Sequence, residues 1–107
     1  MDAGLLRHRI TIQEHKEIGR DQYNNPKSEW VDICRVWASI EPISGREYWA
    51  SAQTQSEVTH RIRIRYRRGI KPTMRIIYQG RIFEIETIID YQERHEYLQL
   101  MCKEVVR

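Results

Sequence analysis

The chain is poor in the features that most catalytic and membrane proteins depend on. No apolar run in its 107 residues approaches the roughly 18 needed to cross a bilayer as a helix. The opening Met-Asp-Ala-Gly-Leu-Leu-Arg-His-Arg also lacks a signal peptide's long apolar stretch, so synthesis and residence in a cytoplasm, with no membrane partner, are expected. There are only two cysteines, Cys34 and Cys102; they lie far apart and each sits inside an apolar stretch, which suits two small buried residues better than a metal knuckle. The four histidines, His8, His15, His60 and His95, have no metal spacing. After His95-Glu96, the position that a zinc protease fills with its second histidine holds Gln99. No glycine-rich phosphate loop occurs, and Ser44 sits in Ile-Ser-Gly-Arg rather than in a nucleophile elbow. Nothing here predicts an enzyme, a cofactor or a catalytic metal.

What the chain does have is alternation. From Thr59 to Gly69 it reads T-H-R-I-R-I-R-Y-R-R-G, which puts Arg61, Arg63, Arg65 and Arg67 on one side of an extended segment and Ile62, Ile64 and Tyr66 on the other. At about 3.3 Å per residue the four guanidinium groups form a row roughly 20 Å long. The net charge of +3 is concentrated here: with Arg68 the segment carries five positive charges, leaving 3 − 5 = −2 for the rest of the chain. The basicity is therefore local, which argues against a whole surface built for nucleic acid. The row is read either as a solvated strand face paired with Glu84 and Glu86 across the sheet, or as a surface that attracts a polyanion or an acidic partner, since arginine makes forked contacts with phosphate and carboxylate alike. The same pairing accounts for Glu84 and Glu86 without acid-base chemistry.

Similar period-two patterns recur along the chain. Leu6 to Glu14 reads as a half-buried strand, followed by a polar stretch, His15 to Ser28, whose Asn24-Asn25-Pro26 marks a surface loop or hairpin tip. Glu29 to Ile40 is the next strand. Its apolar phase slips near Cys34 and Arg35, predicting a bulge or bend, and Trp30 and Trp37 are expected as core or rim anchors. From Glu41 to about Glu57 the β pattern stops; Ser44 with Glu47 fits a capping box, so this is a long loop or short-helix excursion. Met74 to Tyr78 resumes the pattern, and Tyr78-Gln79-Gly80-Arg81 reads as a tight hairpin. Ile82 to Tyr91 places Phe83, Ile85 and Ile89 on one face. A charged connection, Asp90 to Glu96, leads to the last strand, Tyr97 to Val106. The expected fold is mainly β: a single domain, 1–107, forming a small antiparallel barrel of about six strands with one excursion at 41–57.

The order of these features resembles the head-tail joining proteins of long-tailed bacteriophages, also called head-completion, adaptor or stopper proteins. The resemblance is carried by the opening Gly4-Leu5-Leu6-Arg7-His8-Arg9-Ile10-Thr11-Ile12-Gln13, the tryptophan strand Trp30 to Ala38, Gly45-Arg46-Glu47, and the Thr59 to Arg67 strand. Gly80 to Ile85 and Leu98 to Glu104 add to it, so it spans nearly the whole chain. It implies a small β-barrel that assembles as a ring, typically of twelve copies, in the virion neck after assembly in the host cytoplasm; the isolated subunit, free in solution, is expected as a monomer. Portal or adaptor proteins, tail proteins and the packaged double-stranded DNA would be its neighbours. It further implies that the excursion projects toward the channel, which makes Arg46, Glu47, Tyr48 and Trp49 the candidate gate or interface residues, and Arg61, Arg63, Arg65 and Arg67 the candidate lumen or inter-subunit charge row. The rival reading is a single-stranded nucleic-acid-binding barrel with Arg63, Arg65, Tyr66 and Tyr78 as its platform. Against it, Tyr66 alternates to the side opposite the arginines.

Overall fold

The computed structural model describes residues 6–43 and 58–105, and among these there is no α-helix. Six strands are present: β1 (His8–Arg20), β2 (Pro26–Pro42), β3 (His60–Arg65), β4 (Arg75–Tyr78), β5 (Arg81–Asp90) and β6 (Tyr97–Val105). All pair antiparallel, and the sheet closes on itself in the order β1-β2-β3-β6-β5-β4. Closure follows from the alternation: each strand has one apolar face, and wrapping turns all six inward around a shared core. Ile10 and Ile12 of β1, Ile62 and Ile64 of β3, Ile76 of β4, Phe83 of β5 and Leu100 of β6 are fully buried. Each contributes roughly 1.5–3 kcal/mol by leaving water.

Two bulges fit this register to a small radius. Ile12 faces Cys34 but Gln13 faces Asp32, so Ile33 is the extra residue, beside the phase slip that the sequence shows. On β5, Ile85 faces Cys102 while Thr87 faces Met101, which leaves Glu86 as the extra residue. This second bulge corrects the expected face of β5: past it Ile88 packs against the core, whereas Ile89 points outward and is 44% exposed. The turn between β4 and β5 is as expected, with Gln79 at φ 48° and Gly80 at φ 78°, the doubly left-handed geometry of a tight two-residue hairpin. Asp90 to Glu96 is a connection containing a 3-10 turn, Tyr91–Glu93.

The β1–β2 hairpin is longer than the sequence pattern suggests. Beyond Gln13 and Asp32 the two strands leave the barrel and continue as a two-stranded ribbon, paired through Arg20 and Pro26, in which every residue from His15 to Trp30 is exposed. Its tip has a defined shape. The Asp21 carboxylate accepts hydrogen bonds from the backbone N–H groups of Tyr23 (2.8 Å) and Asn25 (2.9 Å), and Asn24 takes φ 65°. Of the two readings of His15 to Ser28, surface loop or hairpin tip, the hairpin is the one formed, and it is mostly strand, with the turn confined to Asp21 to Asn25.

Candidate functional site

The arginine row lies on the outer face of β3, and the strand order decides its partners. β3 runs between β2 and β6, so Glu84 and Glu86 of β5 are a full strand away, and the expected pairing with them does not occur. Its carboxylate is Glu41 of β2, directly opposite Arg61. Glu41 bridges two guanidinium groups, Arg61 at 3.6 Å and Arg63 at 3.7 Å. Those two side chains are only 19% and 22% exposed, so this part of the row is not a solvated face. With Glu41 itself 43% exposed, each pair contributes about 1 kcal/mol or less. Arg65 and Arg67 are different: both are exposed, and neither makes an ion pair with a described residue.

Arg65 and Arg67 border a cleft of about 670 Å³ where the β2–β3 ladder ends at Ala38 and Ile64. Val36 and Tyr66 show their apolar sides there, and Arg35 and Trp37 stand on the β2 rim. Trp37 is 52% exposed and is braced by the Arg9 guanidinium 5.5 Å from its ring centre. Trp30 stands on the ribbon, 37% exposed, with Arg75 stacked 4.2 Å above its ring. Both tryptophans are therefore surface features, and neither is a core anchor. Cys102 is buried, and burial pushes its thiol up to about 12; Cys34 is only half-buried. Both are free thiols.

A second cluster, not singled out by the sequence pattern, sits where the chain returns to the barrel. Arg81 at the start of β5 donates from Nε (2.9 Å) and Nη2 (3.0 Å) to the Glu104 carboxylate near the end of β6. His60, the first residue of β3, lies 3.9 Å from the same carboxylate and packs edge-on against Phe83, with ring centres 5.1 Å apart. The Glu104 backbone N–H donates to Thr59 Oγ1 at 2.8 Å, and the Thr59 N–H donates to the Cys102 carbonyl at 2.8 Å. The forked hydrogen bonds from Arg81 hold the Glu104 carboxyl below the ordinary carboxylate range and Arg81 above its own. Burial, the largest influence on His60, holds its imidazole below the usual histidine value. Ile43 N–H donates to the Thr59 carbonyl at 2.9 Å, so the cluster also pins the two points between which 44–57 leaves and rejoins the barrel. Signals for it existed in sequence as isolated residues, but their convergence depends on the order of strands around the barrel.

The expected gate residues Arg46, Glu47, Tyr48 and Trp49, with the Ser44 capping box, lie outside the described residues. Among the described residues no cluster of three or more histidine, cysteine or acidic side chains is arranged to hold a metal ion. The nucleic-acid platform is not assembled. β3 and β4 lie on opposite sides of the closed sheet, which separates Arg63 and Arg65 from Tyr78. Tyr78 is hydrogen-bonded to His8 Nδ1 at 2.7 Å, and Tyr66 packs toward the core and against His95.

Comparison with known proteins agrees with this architecture. The model of the phage head completion protein family matches residues 1–105. Head completion protein gp16 of Bacillus phage SPP1 is 33% identical over 73 residues, a stretch covering 68% of this chain and 66% of that protein. The solution structure of protein SF1141 from Shigella flexneri 2a superposes over 100% of this chain and 99% of its own, with TM-score 0.78 and 32% identity. A chain from the virion of a native gene transfer agent particle shares the fold, with TM-score 0.63 over 95% of this chain and 97% of its own, at 20% identity. The chain belongs to the phage head completion protein family, whose members are structural components of the particle and not enzymes.

Proposed function

We propose that this protein forms a ring in the neck of a phage particle, between portal and tail, where it completes the DNA-filled head, helps retain the genome and offers the surface on which the tail docks. The observation that carries ring formation is the β1–β2 ribbon. A paired ribbon with a shaped tip, exposed at every residue from His15 to Trp30, sends no side chain into its own subunit's core. Isolated two-stranded ribbons are marginal in water, so a neighbour that covers it contributes directly to its order. Ring closure requires a heterologous contact in which one patch meets a different patch on the next copy. A ribbon on one side and a barrel wall on the other meet that requirement, and the family resemblance points to twelve copies.

The arginine row fits a pairing role better than a DNA-gripping one. Glu41 already neutralises part of the charge of Arg61 and Arg63, and bare arginines along a channel would hold DNA that has to leave. Residues 44–57 are the segment proposed to gate the channel, with Arg46, Glu47, Tyr48 and Trp49 at its centre. The test is electron microscopy of the protein mixed with portal complexes, using the native chain, a chain whose ribbon is cut back to a short turn, and the variants Arg63→Glu and Arg65→Glu. Ring loss on shortening the ribbon supports the assembly reading; intact rings without it would overturn that reading. Rings that survive Arg63→Glu and Arg65→Glu but lose DNA would return the row to the channel lining.

A further inference from the structure

We infer that the cleft between β2 and β3 is a docking groove for an extended, acidic polypeptide segment of a partner protein. The inference deepens the neck role by giving the chemistry of one partner, and it rests on that reading only for where in the particle the partner stands.

The backbone supplies the first argument. Hydrogen-bonded pairing of β2 with β3 stops at Ala38 and Ile64; β3 ends one residue further, at Arg65, whereas β2 runs on to Pro26 with β1 on one edge. The other edge of β2 from Trp37 onward has no strand partner among the described residues. Unpaired strand edges invite an added strand, and an extended peptide satisfies their N–H and C=O groups by joining the sheet. The space is adequate: about 670 Å³ lies within the usual range of roughly 300–1,000 Å³ for binding pockets.

The side chains supply the second argument. The floor is apolar, made by Leu6, Val36 and the ring of Tyr66. Arg35, Arg65 and Arg67 stand around it; among the described residues no acidic side chain lines the cleft, and none of the three makes an ion pair with a described residue. Exposed arginines beside an exposed tryptophan are the composition of an interface centre, and guanidinium groups recognise carboxylates by forked hydrogen bonds. An extended segment that alternates carboxylates with apolar side chains matches both layers.

Other occupants fit less well. A single nucleic-acid strand needs successive exposed rings to stack on, and among the described residues Trp37 is the one aromatic side chain standing free there, because Tyr66 is packed inward against His95 at 4.6 Å. A second copy's ribbon tip is not acidic: Glu17 and Asp21 are offset by Arg20 and Lys27.

The test uses the full chain, labelled with 15N and titrated with a synthetic peptide of about ten residues that alternates Glu and Val, long enough to span the open edge. Saturable shifts are expected at residues 35–37 and 65–67 and at the Trp37 indole N–H. Affinity is expected to fall on the order of tenfold in Arg65→Glu and in Arg67→Glu, about one forked contact each, with Arg67→Lys intermediate. Arg67 lies beyond the end of β3, so its variants keep the ladder intact. Equal binding by the peptide with Gln in place of Glu, tighter binding by a single-stranded oligonucleotide of equal charge, or shifts at these residues that follow protein concentration alone would each overturn the proposal. So would the absence of saturable shifts at millimolar peptide. Ring formation with portal complexes is scored separately, so failure of the groove leaves the neck role standing, and the reverse also holds.

Discussion

The same two strands behave in opposite ways at their two ends. Between His8 and Ile12, β1 presents Ile10 and Ile12 to a core in which both are fully buried, and between Ala38 and Pro42 β2 has strand partners on the β3 side as well. From His15 to Trp30 these strands keep their mutual hydrogen bonds but bury no side chain. Backbone pairing is common to both regions, so pairing is not what separates them. The difference lies in apolar alternation, which a strand needs for burial against a third layer and which Glu14, His15, Lys16 and Glu17 do not supply. Stability is therefore concentrated in the barrel, and the ribbon is left free to contribute elsewhere.

The largest effect expected on this contrast comes from the barrel side. Phe83→Ala removes the largest fully buried side chain and should cost about 3–5 kcal/mol, read as a lowered denaturant midpoint. Gly80→Val forces a β-branched residue to φ 78° and should cost roughly 1–2 kcal/mol by the same measurement. Acidification should act through the cluster of His60, Arg81 and Glu104. Both Glu104 and His60 bind protons less readily folded than unfolded, so the unfolded chain holds more protons. Their contribution is fully present above about pH 6.5, begins to fall as His60 is passed and falls again below the ordinary glutamate value of 4.5. A thermal melting series in which His60→Gln flattens the first of these steps would support the assignment; an unchanged profile would remove His60 from it. The smallest effect is expected on the ribbon, where Ile18→Ser and Tyr23→Ser should move monomer stability by no more than about 0.5 kcal/mol while weakening ring assembly. Amide exchange sharpens the whole contrast: slow at Ile62, Ile64 and Leu100, fast from His15 to Trp30 in the free subunit, and slowed there on assembly. Protection of the ribbon equal to the barrel's in the free subunit would break it.

Much of the barrel was legible in the sequence because apolar alternation is a local signal. Strand number, the inward faces of β3 and β6, the Gln79-Gly80 turn and the bulge next to Cys34 all follow from neighbours a few residues apart. Of the two readings of His15 to Ser28, loop or hairpin tip, the hairpin is the one formed; its length is not legible because its polar residues carry no burial signal, though the Asn24-Asn25-Pro26 turn is recognisable. The outward turn of Ile89 could not be read because one inserted residue, Glu86, reverses the phase after it. The partner of the arginine row was missed for a different reason. Whether β3 sits next to Glu41 or next to Glu84 is fixed by strand order around a closed sheet, a long-range property that alternation within one strand does not encode. The convergence of His60, Arg81 and Glu104 was hidden in the same way.

One further consequence attaches to β2. Its 17 residues run from the ribbon tip, through the bulge at Ile33 and past the cleft, to Pro42 near the end of the first described segment. A strand whose backbone is hydrogen-bonded to its neighbours is hard to stretch along its axis. A pull or push delivered at one end by a docking neighbour therefore arrives at the other end as displacement rather than being absorbed between them, as along the stem of a valve.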